Sequence, residues 1–262
     1  MDLGLTGRTV VVTGASSGVG LATAAMLLAE GAHVAACARD ADRLAAAFDG
    51  LPRAAGARVL LRACDVLDAD AVADFVGVAA AELGGIDGLV NNAGRSLMRR
   101  VLDTTEQEWA DELRLKVFGA LHPVRAALPW LRKSPAPAVV TVNAILARQP
   151  EARLAATSAA RAALLNLTTT LAGELAADGV RVNSVCLGLV DTGQWRRRHA
   201  ESGSPLDFAT WSAELAADRG IALGRLGVAE EVAFPIVALL SPRSSYVTGA
   251  SLDVGGGVAR YV

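Results

Sequence analysis

Short runs of apolar and β-branched residues alternate along the whole chain with longer stretches in which apolar positions recur at helical spacing. Arg8–Thr13, His33–Cys37, Arg58–Ala63, Asp87–Val90, Ala138–Asn143, Val180–Val185 and Ser251–Val254 read as seven strands. Stretches near 18–30, 41–55, 69–83, 105–133, 154–177 and 229–240 read as helices. Strands joined through helical crossovers lie parallel, with helices on both faces. The expected fold is therefore α/β, a single-domain Rossmann-type, doubly wound parallel sheet of seven strands. In such sheets ligands bind outside the carboxyl ends of the strands, so the residues just after each strand come first for function. Residues 191–227 break the alternation; they carry Trp195, Trp211, the Arg196–Arg198 triplet and His199, and are expected to form a lid over a substrate.

Composition narrows the class. A chain of 262 residues with 52% hydrophobic and 20% charged residues buries enough apolar surface to fold, and one domain spanning 1–262 is expected. Basic and acidic residues number 25 and 27, a net charge of −2, which gives no field for nucleic acid or an anionic membrane. The most apolar stretch, Val10 to Ala38, is interrupted by Gly14, Ser16, Ser17, Gly18, Glu30, Gly31 and His33 and does not suit a membrane span. The start Met1-Asp2-Leu3-Gly4 lacks the basic-then-apolar layout of a secretory signal, so a cytoplasmic protein is expected. Cys37, Cys64 and Cys186 are odd in number and far apart, which favours buried reduced thiols over disulfides or a metal site.

The first strand runs directly into Thr13-Gly14-Ala15-Ser16-Ser17-Gly18-Val19-Gly20 and then a helix, placing small residues where backbone must approach a pyrophosphate at a helix N-terminus. Alone this turn is weak evidence for a dinucleotide. Asp65-Val66 after the third strand and Asn91-Asn92-Ala93-Gly94 after the fourth are more specific. With Gly188-x-Val190-x-Thr192, Gly224-Arg225-Leu226-Gly227 and Tyr246-Val247-Thr248-Gly249, they make the chain resemble the short-chain dehydrogenase/reductase family over essentially its full length. The resemblance implies that Asp65 and Val66 border the adenine, that Asn91, Asn92, Ala93 and Gly94 line the adenosine ribose side, and that Gly188, Val190 and Thr192 face the nicotinamide amide. At the end of the second strand an acidic residue would accept from a ribose 2′-hydroxyl. Here Ala38 is followed by Arg39, which favours a 2′-phosphate and hence NADP(H), with NAD(H) left open as the weaker ligand.

The family resemblance also implies a proton relay of Asn, Ser and a Tyr four residues before a Lys, the lysine lowering the tyrosine pKa and gripping the nicotinamide ribose. Those positions fall on Lys116, Ala144, Thr157 and Arg161, so all four are substituted. Arg161 can hold ribose hydroxyls but cannot shuttle protons near neutrality. An ammonium at Lys116 near Arg161 in a partly dry cleft would have its pKa pushed down and could serve as acid, base or anion anchor; the plain alternative is a solvated lysine on a long helix. Lys116, Thr157 and Arg161 form the candidate catalytic set. His199 is a second candidate proton donor, His33 and His122 read as structural, and neither Tyr246 nor Tyr261 obviously replaces the missing phenol.

Lys116, Arg148, Arg161 and Arg196–Arg198 near the expected cleft suggest an anionic small-molecule substrate. Three functions stay open: a divergent oxidoreductase on a carbonyl or alcohol, an NADP(H)-binding partner protein without turnover, and a non-redox lyase or cyclase. Apolar stripes on helices 105–133 and 154–177 suggest a homodimer or homotetramer.

Overall fold

The computed structural model describes residues 2–261. Among them seven strands form one sheet: β1 Thr9–Thr13, β2 His33–Ala38, β3 Val59–Ala63, β4 Gly88–Asn91, β5 Ala138–Ala144, β6 Arg181–Leu187 and β7 Ser251–Val254. They run in the order β3-β2-β1-β4-β5-β6-β7, every neighbouring pair parallel. The helices are α1 Gly18–Ala29, α2 Ala41–Phe48, α3 Ala69–Leu83, α4 Glu106–Leu131, α5 Ala155–Leu175, α6 Gly193–Glu201, α7 Phe208–Asp218 and α8 Ala229–Leu240. The sheet is the expected single-domain α/β fold. Its crossovers diverge between β1 and β4, which opens a crevice at the carboxyl ends of those strands.

Strand residues alternate between two cores because successive side chains leave a strand on opposite faces. Val10, Val12, Val34, Ala36 and Val140 pack with α1 and α8, whereas Val11, Ala35, Leu89, Val139 and Val182 pack with α3, α4 and α5. Cys37 and Cys64 belong to the second core, and the three cysteines are buried free thiols. Local chemistry sets the helix ends. Asp68 caps α3, accepting from Asp70 N and Ala71 N, and Thr105 with Glu108 forms a capping box at α4. Arg181, buried within β6, donates to Leu239 O and Ser241 O, satisfying carbonyls at the end of α8, and to Val247 O in the segment leading to β7.

Two expected boundaries are corrected. The helix read as 41–55 stops at Phe48, because Gly50 takes φ +68° and Pro52 cannot continue a helix. Residues 191–227 hold two helices, α6 and α7, where none was read. Among the described residues no helix is long and apolar enough to cross a membrane.

Candidate active site

A cleft of about 720 Å³ runs along the carboxyl edge of the sheet. Its floor is the β1–α1 turn. Gly14 has φ +66° and Gly18 φ +56°, conformations that L side chains rarely adopt. A Cβ on Gly14 would lie 2.7 Å from Ala93 Cα, and one on Gly20 would press on Asn92 Nδ2 and sit 2.5 Å from Gly14 O. Glycine is therefore required for the turn to close against the β4 loop. Thr13 Oγ1 accepts from Asn92 N and Ala93 N, and Asn92 Nδ2 donates to Thr13 O and Gly14 O. At the start of α1 the N-cap Ser17 makes no side-chain capping bond, so the first amides of the helix face the cleft without that partner.

Most residues expected to bind a nucleotide line this cleft. Gly14, Ser16, Ser17, Gly18 and Val19 form the turn, Arg39 stands at the β2 end, and Asp65 with Val66 follows β3. Asn92, Ala93 and Gly94 follow β4, while Gly188, Val190 and Thr192 follow β6. Gly20 and Asn91 do not reach the surface of the cleft. Gly20 is the close-packing glycine beneath the turn. Asn91 is buried and donates through Nδ2 to Ala120 O, tying β4 to α4, and its Oδ1 has no partner. Arg43 of α2 joins Arg39 on the wall, a second cation that sequence reading missed although it lies four residues on.

The other end of the cleft is different. Arg161 projects from α5 into its wall, with Nη1 donating to Val142 O at 2.8 Å, while Asn143 Nδ2 donates to the Arg161 carbonyl. Arg161 Nε is shut off from water and unpartnered. Burial pushes the Arg161 pKa down to about 10, so the group stays charged at neutrality. Ala144, where a hydroxyl was expected to be missing, lines the cleft beside it.

Lys116 and Thr157 are not on the cleft surface. Lys116 is 2% exposed and Thr157 fully buried, and a carboxylate joins them: Glu112 Oε2 accepts from Thr157 Oγ1 at 2.6 Å and from Lys116 Nζ at 3.2 Å. Lys116 Nζ also donates to Arg95 O at 2.6 Å. Burial, then repulsion from Arg161, brings the Lys116 pKa down to about 8, against the raising effect of Glu112. The solvated-lysine alternative is thus removed. Sequence reading missed Glu112, although its spacing of four from Lys116 puts both on one helix face.

The remaining expected cations separate. Arg197 and Arg198 line the cleft, but Arg196 makes a two-pronged pair with Asp191 and does not. Arg148 pairs with Asp253 and lies over the Tyr261 ring, outside the cleft. Tyr261 donates to Asp253 Oδ2, and burial raises its pKa to about 12. His199 bonds Leu206 O and packs with Phe208 and Trp211, so it holds α6 on α7 and does not reach the cleft. His33 Nδ1 accepts from Arg58 N, His122 Nδ1 meets Val66 O, and Tyr246 is fully exposed. The segment from 191 to 227 is fastened at its base by Val190 pairing with Gly227, and beyond α7 by an ion pair between Arg219 and Glu151.

Glycines that admit backbone to a pyrophosphate, free helix amides, two arginines at one end and an orphaned buried guanidinium N–H at the other suit a phosphorylated dinucleotide. Comparison with known proteins points the same way. Residues 14–259 match the family model described as enoyl-(acyl carrier protein) reductase. The chain is 38% identical to the cis-4-hydroxycyclohexanecarboxylate dehydrogenase of Sinomonas cyclohexanicum, over 95% of this chain and 96% of that one. The NADPH-bound short chain oxidoreductase of Pseudomonas aeruginosa PAO1, described as containing an atypical catalytic center, superimposes with a TM-score of 0.93 at 48% identity, over 97% and 98% of the two chains. L-sorbose reductase of Gluconobacter frateurii, complexed with NADPH and L-sorbose, gives 0.94 at 32% identity over 100% of each.

Proposed function

Because the chain belongs to the short-chain dehydrogenase/reductase family, we propose that it is a cytoplasmic NADP(H)-dependent oxidoreductase interconverting the carbonyl and alcohol forms of a small anionic substrate. One observation carries this: a single cleft has Arg39 and Arg43 at its β2 end and, at the other, the guanidinium of Arg161, whose Nε is unpartnered. NADP(H) supplies or accepts the hydride when bound. The amides at the start of α1 hold its pyrophosphate, Arg39 and Arg43 its 2′-phosphate, Asp65 and Val66 border its adenine, and Gly188 to Thr192 its carboxamide. Arg161 orients the nicotinamide ribose, and its charge stabilises an oxyanion at the reacting carbon. Of the three candidate catalytic residues, Arg161 alone reaches the cleft; Lys116 and Thr157 act from behind its wall. With no phenol on that wall, the proton comes from water. Arg95, Arg114, Arg197 and Arg198 line the substrate end and favour a carboxylate-bearing molecule. Residues 191–227 form a lid over the substrate end. Copies assemble through α4, where Leu113 and Phe118 are exposed apolar groups.

A second function, an NADP(H)-binding partner protein without turnover, is favoured by the withdrawal of Thr157 and Lys116 from the cleft. One experiment separates them. The purified protein is titrated with NADPH and NADH by fluorescence, then mixed with NADPH and neutral or carboxylated ketones while NADPH consumption is followed. Binding of NADPH over NADH with turnover of carboxylated ketones is expected. Binding without any turnover selects the partner protein, and binding of neither nucleotide overturns both.

A further inference from the structure

Glu112, Lys116 and Thr157 form one buried unit from two helices, and both outer members grip the same stretch of backbone. Lys116 Nζ donates to Arg95 O, and Thr157 Oγ1 accepts the Leu97 N–H at 3.0 Å. The hydroxyl's own proton goes to Glu112 Oε2. Glu112 therefore fixes which way the Thr157 hydroxyl points, and its charge holds the Lys116 ammonium in a place that water does not reach. The carbonyl of Arg95 is turned inward to Lys116, while Arg95 and Ser96 line the cleft.

We propose that Glu112 is a positioning residue for the substrate end of the cleft: by holding Lys116 and Thr157 together it fixes the backbone of Arg95–Leu97 and so sets Arg95 and Ser96 on the cleft wall. The proposal rests on the cleft being the reaction site. It assigns Glu112 no contact with cofactor or substrate. Its geometry makes two demands on the side chain, reach to Thr157 and charge beside Lys116, and different substitutions remove them one at a time.

The test uses the full chain saturated with NADPH. Hydrogen exchange of the peptide covering 94–101 is measured for the wild type, Glu112→Asp, Thr157→Val and the double variant Glu112→Leu with Lys116→Met. Glu112→Asp keeps the charge but loses reach, and should speed exchange at 95–97 roughly tenfold, as Thr157→Val does, the scale of one lost buried hydrogen bond. The double variant removes the buried charges together; it should keep its melting temperature and still exchange fast. NADPH affinity should stay within about threefold throughout, since no member of the unit lines the nucleotide end. The chain has two lysines, Lys116 and the exposed Lys133, so ¹⁵N-lysine labelling gives a readable Lys116 signal. In Glu112→Gln that signal should titrate at a lower pH than in the wild type. Wild-type exchange at 95–97 in Glu112→Asp and the double variant, with only Thr157→Val loosened, would overturn the proposal, as would an unmoved Lys116 titration in Glu112→Gln. Loss of NADPH binding in the wild type itself would instead count against the cofactor assignment, leaving the exchange result to be judged separately.

Discussion

Lys116 makes a stability prediction whose sign and size follow from its surroundings. Its pKa falls from an ordinary 10.5 to about 8 on folding, chiefly because burial penalises the charged form. Below pH 8 it is protonated in both folded and unfolded chains, and the folded state bears the full cost of the buried charge. Between pH 8 and about 10.5 the unfolded chain holds the proton that the folded chain has released, so stability contributed by this group rises with pH and then levels off. A fall from 10.5 to about 8 corresponds to about 3–4 kcal/mol over that window, at about 1.4 kcal/mol per tenfold change in proton affinity. Replacing Glu112 and Lys116 together by Leu and Met removes the titration without stranding either charge. Urea unfolding of both proteins at pH 7.5, 8.5 and 9.5, values chosen as roughly spanning the onset of the transition, should give stabilities that diverge. Wild type should gain about 2 kcal/mol on the double variant across the series. Cys186 and Tyr261 also titrate at alkaline pH but are common to both proteins and cancel in the difference; Arg161, at about 10 and raised by Glu112, does not cancel, so the two lower pH values decide the sign of the divergence. Parallel curves for the two proteins would refute the reasoning, because the Lys116 charge would then not be held at a cost.

Three further outcomes are expected. Arg39→Ala should weaken NADPH binding about tenfold, or ~1.4 kcal/mol, leave NADH binding unchanged and flatten the salt dependence of NADPH affinity, as fluorescence titration at several ionic strengths would reveal. Gly20→Ala should cost about 1–3 kcal/mol in thermal unfolding and also weaken NADPH, since its Cβ has no space beneath the glycine turn; a melting temperature within experimental error of wild type would contradict this. Putting a Ser, Tyr, Lys set back at Ala144, Thr157 and Arg161 should yield a destabilised protein without ketone reductase activity, because the fully buried Thr157 site has no room for a phenol. Reductase activity in a stably folded triple variant would show that the wall behind the cleft is more plastic than its packing implies.

The short apolar β-branched run Val10–Val12 and its counterparts along the chain, the helical stretches between strands and the glycines of the first turn were enough to specify sheet, order of elements and nucleotide end, because each is a local preference that needs no long-range contact to be read. Arg39 was legible for the same reason, one residue past a strand end. The α6 and α7 helices were not, since Gly193–Glu201 is mostly polar and shows no apolar stripe; His199, Phe208 and Trp211 stabilise it only once α7 folds against it. Nor could chain spacing tell that Arg148 would turn to Asp253, that Arg196 would pair with Asp191, or that Thr157 and Lys116 would meet at Glu112 behind the cleft wall. Those outcomes depend on which side chains share a buried volume across α4, α5 and the Arg95–Leu97 segment. Burial is what brings an ordinary lysine, threonine and glutamate together in one hydrogen-bonded unit shut off from water, and burial exists only in the folded chain.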